Sequence, residues 1–161
     1  MGYNSGTVLA SHSSAEVTGS GHAVGGLAGG NEGTAAVIHA SYARGLVTSL
    51  TSSPQTGGLV GYNRNGATTP NSYWNSDIVS ATGEVGSTGA VGKTTAQLQS
   101  PTSYASTAGN GATAIYTHWN VDVDNADGDN ILTTGTDDPW DFGTGTQYPV
   151  CLLYTSPSPR D

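Results

Sequence analysis

The sequence predicts an all-β chain: a parallel β-helix (β-solenoid) built from repeats of about 31 residues, followed by a small irregular C-terminal cap. Three observations predict it: composition, internal repetition and turn chemistry at fixed places within each repeat. The chain has 24 glycines, only 10% charged residues and 35% hydrophobic residues, an apolar share below that of an ordinary globule. Disordered chains combine high net charge with few β-formers. Here charge is sparse while Val, Thr, Tyr and Ile are plentiful, so the low apolar content points to ordered β structure with small residues at the turns. No helical periodicity runs through residues 1–90.

The repeats can be read in order along the chain. Gly25-Gly26-Leu27-Ala28-Gly29 returns as Gly57-Gly58-Leu59-Val60-Gly61. Ser41-Tyr42 returns as Ser72-Tyr73 at a spacing shorter by a single position. A partial copy stands at the start: Gly2-Tyr3-Asn4 matches Gly61-Tyr62-Asn63, and Ser11-His12 through Val17 matches Ser41-Tyr42 through Val47. The chain is therefore expected to begin inside a repeat, with Met1 not necessarily a true start. Each repeat holds two β-like pieces, Gly-Gly-Leu-x-Gly and the run through Ser-Tyr to a β-branched pair. Asn31-Glu32-Gly33 and Asn63-Arg64-Asn65-Gly66 separate them with residues that tolerate positive φ. One repeat cannot bury its apolar residues alone. Stacking puts Leu27 over Leu59 and Tyr42 over Tyr73, and about 31 residues at ~3.3 Å each suffice to go once around a coil.

GGLVGYN followed by NSYW (Gly57 to Asn63, Asn71 to Trp74) resembles the GLUG-motif repeats of bacterial surface and secreted proteins, with Gly25 to Asn31 and Ser41-Tyr42 as a weaker copy. The resemblance covers residues 1–85. It implies a right-handed parallel β-helix of the kind found in adhesin-like proteins, beside filamentous-haemagglutinin-like passengers, and it implies no active-site residues. His12 stands where the repeat has tyrosine, and Gly2-Tyr3-Asn4 lacks the preceding Gly-Gly-Leu, so the first rung departs from the pattern. Residues 86–150 resemble the segment that commonly follows such repeats, with Thr94 to Leu98, Trp140 to Gly143 and Tyr148-Pro149 as its landmarks. Thr94 or Thr95 suits the N-cap of a helix that Pro101 would end. The expected organisation is repeats over 1–85, a Gly/Ser linker over 86–93, a capping segment with an acidic loop over 94–150, and a tail over 151–161.

That tail, CLLYTSPSPRD, contains the only cysteine and two of the seven prolines. It resembles, letter for letter, the in-frame translation of a transposon-based sequencing adapter, and is expected to be non-native. On that reading the remainder has no cysteine, hence no disulfide framework and no thiolate metal site.

The formal net charge of −8 argues against nucleic acid and anionic lipid as partners, both of which call for basic clusters. No apolar run reaches the roughly 20 residues that a membrane helix needs, and no secretory signal pattern opens the chain. The acids are unevenly placed: seven of the twelve fall between residues 120 and 141. Asp122, Asp124, Asp127 and Asp129, bent by Gly128, offer hard oxygen ligands of the kind calcium takes. They depart from the EF-hand spacing, because Ala126 occupies the fifth position and no closing Glu follows. Calcium is thus the one cofactor in view, against a simple solvated acidic loop.

Trp119, Trp140, Phe142 and Tyr148 read as the core of the cap; exposed, Trp119 and Trp140 could instead stack on sugar faces. Gly86 to Thr94 falls short of a phosphate-binding loop, with Ser87 where glycine is needed and no buried strand before it. Asp141-Phe142-Gly143 lacks every companion motif of a kinase. The histidines 12, 22, 39 and 118 have no zinc-ligand spacing. Before the tail the only cationic side chains are Arg44, Arg64 and Lys93, too few for the charge-stabilising sites of β-helix polysaccharide lyases and hydrolases. The threonines form no ladder at the repeat period, against an ice-binding surface.

The expected function is a structural or adhesive segment of a secreted or cell-surface bacterial protein, without catalysis. Its partners would be neighbouring repeats of a larger parent chain and a host or matrix surface, through glycans or protein. The alternative is a calcium-dependent glycan-binding module, and more remotely a fragment of a polysaccharide-active enzyme.

Overall fold

The computed structural model describes residues 1–51, 55–78, 89–99, 115–116, 119, 140–141 and 147–151. The fold is all-β, with one short helix among these residues. The first repeat supplies β1 (Tyr3–Asn4), β2 (Thr7–Leu9), β3 (His12–Ser13) and β4 (Val17–Gly19). The second supplies β5 (Ala23–Gly25), β6 (Ala28–Glu32), β7 (Val37–His39), β8 (Tyr42–Ala43) and β9 (Val47–Ser49). The third supplies β10 (Gln55–Gly57), β11 (Val60–Arg64) and β12 (Tyr73–Asn75). Then come β13 (Val91–Lys93), α1 (Thr95–Leu98), β14 (Trp140–Asp141) and β15 (Val150–Cys151).

Strands of successive repeats pair in parallel. The sheets run β1-β6-β11, β5-β10, β2-β7, β4-β9 and β3-β8-β12-β13, while β14 and β15 pair antiparallel. The register follows the period read from the sequence: Gly57 lies beside Gly25, and Tyr73 beside Tyr42. Leu27 and Leu59 are both buried in one cluster with Ala28, Ile38, Ala43 and Val60. His12 pairs with Tyr42 in the expected register, so replacing tyrosine does not remove the first repeat from the stack.

The turns follow from local chemistry. Gly33, Asn65 and Gly66 have positive φ, at the Asn-rich turns. A second corner is less legible: Ala10, Ala40 and Asn71, at equivalent places in the three repeats, have φ of 44, 50 and 49°. A serine follows each. Ser11 N donates to Ser41 Oγ at 3.1 Å and Ser41 N to Ser72 Oγ at 3.2 Å, so the corners are tied from repeat to repeat.

Polar side chains also run through the interior. Asn4, Asn31 and Asn63 stand in register on β1, β6 and β11. Asn4 Nδ2 donates to Asn31 Oδ1 and Asn31 Nδ2 to Asn63 Oδ1, both at 2.7 Å, and Asn63 Nδ2 donates to Thr69 Oγ1 at 3.2 Å. Buried amides are tolerated because each supplies its neighbour's hydrogen bond.

Two boundaries differ from those the sequence suggests. Residues 91–93, placed in a linker, form β13 in parallel register with β12, Val91 beside Tyr73. A Gly-rich stretch has no side-chain signature of its own, and pairing with an existing edge supplies the order. Cys151, grouped by sequence with the tail, is buried and pairs with Trp140. Thr94 does cap α1, its hydroxyl accepting from Gln97 N while the Gln97 side chain accepts from Thr94 N in a capping box. The described part of the C-terminal segment lies along a face of the stack, from His12 to Tyr73.

Candidate functional site

The β3-β8-β12 sheet presents His12, Tyr42 and Tyr73 in one column. Aromatic residues from the C-terminal segment cover it. Trp119 stacks on Tyr73 at 5.7 Å and on Tyr42 at 5.8 Å, and Trp140 lies 4.8 Å from Trp119 and 5.9 Å from His12. Tyr148 stacks on Tyr42 at 6.2 Å, with the Arg44 guanidinium 4.4 Å above the Tyr148 ring. Hydrogen bonds fix the cover: Tyr42 Oη donates to the Pro149 carbonyl at 2.7 Å, Tyr73 Oη to that of Ile115, and Trp119 Nε1 to that of Asn71 at 2.7 Å. Burial pushes the Tyr42 and Tyr73 phenols up to about 12 and drives that of Tyr116 higher still. His12 is held below its ordinary value, by desolvation first and then by the Arg44 charge.

This geometry decides between the two readings of the tryptophans, in favour of a core. Trp119 and Trp140 are 0% and 3% exposed. A ring must present a free face to stack on a sugar, and these rings spend theirs on each other and on the tyrosine column. They are core. The Trp140 Nε1 group is buried without a hydrogen-bond partner. Asp122, Asp124, Asp127 and Asp129 lie outside the described residues. Among the described residues no cluster of three or more His, Cys, Asp or Glu could hold a metal ion.

A second constellation is built on the outward face of β1-β6-β11. Tyr3, Gly30 and Tyr62 share one register column, and Glu32 and Arg64 share another. Glu32 Oε2 accepts from Tyr3 Oη at 3.0 Å and from Tyr62 Oη at 3.3 Å, while its Oε1 accepts from Asn65 Nδ2 at 2.6 Å. The Arg64 guanidinium sits 4.7 Å above the Tyr62 ring. Both phenols are raised above their ordinary value, by desolvation first and then by the Glu32 carboxylate. The repeated Gly-Tyr-Asn triplet was the available signal for this patch. Tyr and Asn alternate outward and inward along a strand, so a triplet with a buried Asn must expose its Tyr.

The class these features define is an all-β repeat protein whose short parallel strands stack repeat upon repeat. No family model, curated protein or solved structure matches the chain. Among the described residues no helix is long and apolar enough to cross a membrane.

Proposed function

We propose that the chain is a segment of a parallel β-helix from an exported or cell-surface bacterial protein of GLUG-repeat type, serving as a structural and adhesive stalk and not as a catalyst. The observation that carries this reading is the in-register stacking of three repeats, tied by the Asn4–Asn31–Asn63 and Ser11–Ser41–Ser72 columns. A stack of that kind extends by adding repeats, each contacting its neighbours, which suits a spacer that carries a binding surface away from its anchor. For the calcium-dependent glycan module, the two tryptophans offered for stacking are buried, and its acidic loop lies outside the described residues.

Four further copies of residues 22–53, inserted in tandem after residue 53, test the stalk. A β-helix gains one strand spacing per repeat, so small-angle scattering should show the particle longer by roughly 19 Å at constant cross-section. Growth in cross-section at constant length would overturn the proposal.

A further inference from the structure

We infer that Tyr3 and Tyr62 are an oxidative cross-linking site on the outward face of β1-β6-β11: a peroxidase supplied with hydrogen peroxide joins their rings through a carbon–carbon bond, and Glu32 takes up the phenolic protons. This goes beyond the stalk reading and does not depend on it.

Convergence of the two rings is the first argument. Tyr3 and Tyr62 stand on strands either side of β6, yet both hydroxyls donate to the same oxygen, Glu32 Oε2, at 3.0 and 3.3 Å. Gly30 allows this. A Cβ there would fall 2.5 Å from Tyr62 Cζ and 2.8 Å from Cε1, so the Tyr62 ring crosses the middle strand toward Tyr3. Phenols couple at the carbons ortho to the hydroxyl, which are the ring atoms nearest the shared contact. Gly30 beneath and the Arg64 guanidinium above, 4.7 Å from the ring centre, cover the faces of Tyr62 and leave its edge to react. Tyr3 is 55% exposed, so an oxidant can reach it.

The second argument is the destination of the protons. A phenol that gives up an electron becomes strongly acidic, and a carboxylate already hydrogen-bonded to it receives the proton. Desolvation first, and Glu32 next, raise both phenols, so each holds its proton until it is oxidised. Tyr42 and Tyr73 are also neighbours in register, but they are buried and donate to backbone carbonyls, which are far weaker bases. Once both rings are radicals, a bond forms from Cε to Cε, and the hydrogen displaced on each ring moves to its oxygen to restore the phenol. Glu32 passes each proton on to water. The net loss is two electrons and two protons, which reduce one hydrogen peroxide to two waters. The bond ties the first repeat to the third, and a chain closed in that way has less freedom to gain on unfolding.

The test treats the full chain, dilute enough for molecules to react singly, with a peroxidase and limiting hydrogen peroxide. The monomer band of a denaturing gel should acquire dityrosine fluorescence. Peptide mass mapping of that band should find the Tyr3 peptide joined to the Tyr62 peptide, lighter by two hydrogens. Tyr3→Phe and Tyr62→Phe keep both rings and should each lose the joined peptide altogether. Glu32→Gln keeps an acceptor but cannot take the proton, and should slow the coupling about a hundredfold, the contribution of a positioned base. Circular dichroism matching the parent would show each variant folded. In denaturant the preference for this pair should vanish. A folded parent whose monomer yields no Tyr3–Tyr62 peptide, or yields it equally well in denaturant, would overturn the inference. Coupling at the parent rate in folded Glu32→Gln would overturn the part given to Glu32.

Discussion

At the scale of single residues, Asn31 has the most exacting role. It accepts from Asn4 and donates to both Asn63 and the Thr68 carbonyl, at 0% exposure. Replacing it with Ala removes the middle of a buried polar column and strands groups on both sides, each costing about 1–3 kcal/mol. Asn31→Ala should therefore lower the denaturant midpoint more than Asn4→Ala, which loses one link of the column and two part-buried bonds with Gly6. Equal losses at the two sites would show that the column does not act as a chain. The column is only half legible in the sequence. Asn4 and Asn63 sit in matching Gly-Tyr-Asn triplets, but Asn beside Gly reads as turn chemistry, and nothing local says that these three point inward. That they do follows from parallel register, which brings like residues together and lets one amide satisfy the next.

At the scale of elements, the period and pairing of the strands are legible because identical residues recur at the spacing that the register then adopts. The corners are less so. Ala40 at φ 50° contradicts local preference, since an L-residue there costs roughly 1–2 kcal/mol; the stacked serines and the burial of the methyl group hold it. Gly45, in the bend between β8 and β9, marks the tightest approach between repeats: a Cβ there would collide with the Ala15 carbonyl oxygen of the preceding repeat. Backbone cannot move aside as a side-chain tip can. Gly45→Ala should cost about 1–3 kcal/mol, as overpacking of a close contact does, whereas Gly21→Ala, in open space, should cost little. Thermal melts of the pair check this. The β13 strand carries no such repeat signal, because the step from Tyr73 to its partner Val91 is much shorter than the period that links the other strands.

At the scale of the whole molecule, the aromatic cluster joins the C-terminal residues to all three repeats, and its tyrosines set a limit on alkaline stability. An unfolded phenol loses its proton near pH 10, while Tyr42 and Tyr73 hold theirs to about 12 when folded. Above pH 10 the unfolded chain gains by ionising and the folded chain does not, so the stability these groups provide is intact below 10 and drains away between 10 and 12. Phenolate absorbance should rise in two stages, with the buried tyrosines ionising late and together with the loss of near-ultraviolet dichroism. A single smooth titration of all the tyrosines near pH 10 would contradict the burial. By chemistry alone Trp119 and Trp140 suit a core or a sugar surface. Composition cannot separate the two, because only the column of His12, Tyr42 and Tyr73 decides which face of each ring is covered.

The asparagine column has one more consequence. Every link in it points the same way: each amide gives its proton to the following repeat, and the last gives it to Thr69. Amide dipoles laid head to tail polarise one another, so each added repeat strengthens the bonds already present. The stack is therefore electrically directional along its axis: at one end Asn4 Oδ1 accepts from the Gly6 backbone, and at the other Asn63 Nδ2 donates to Thr69.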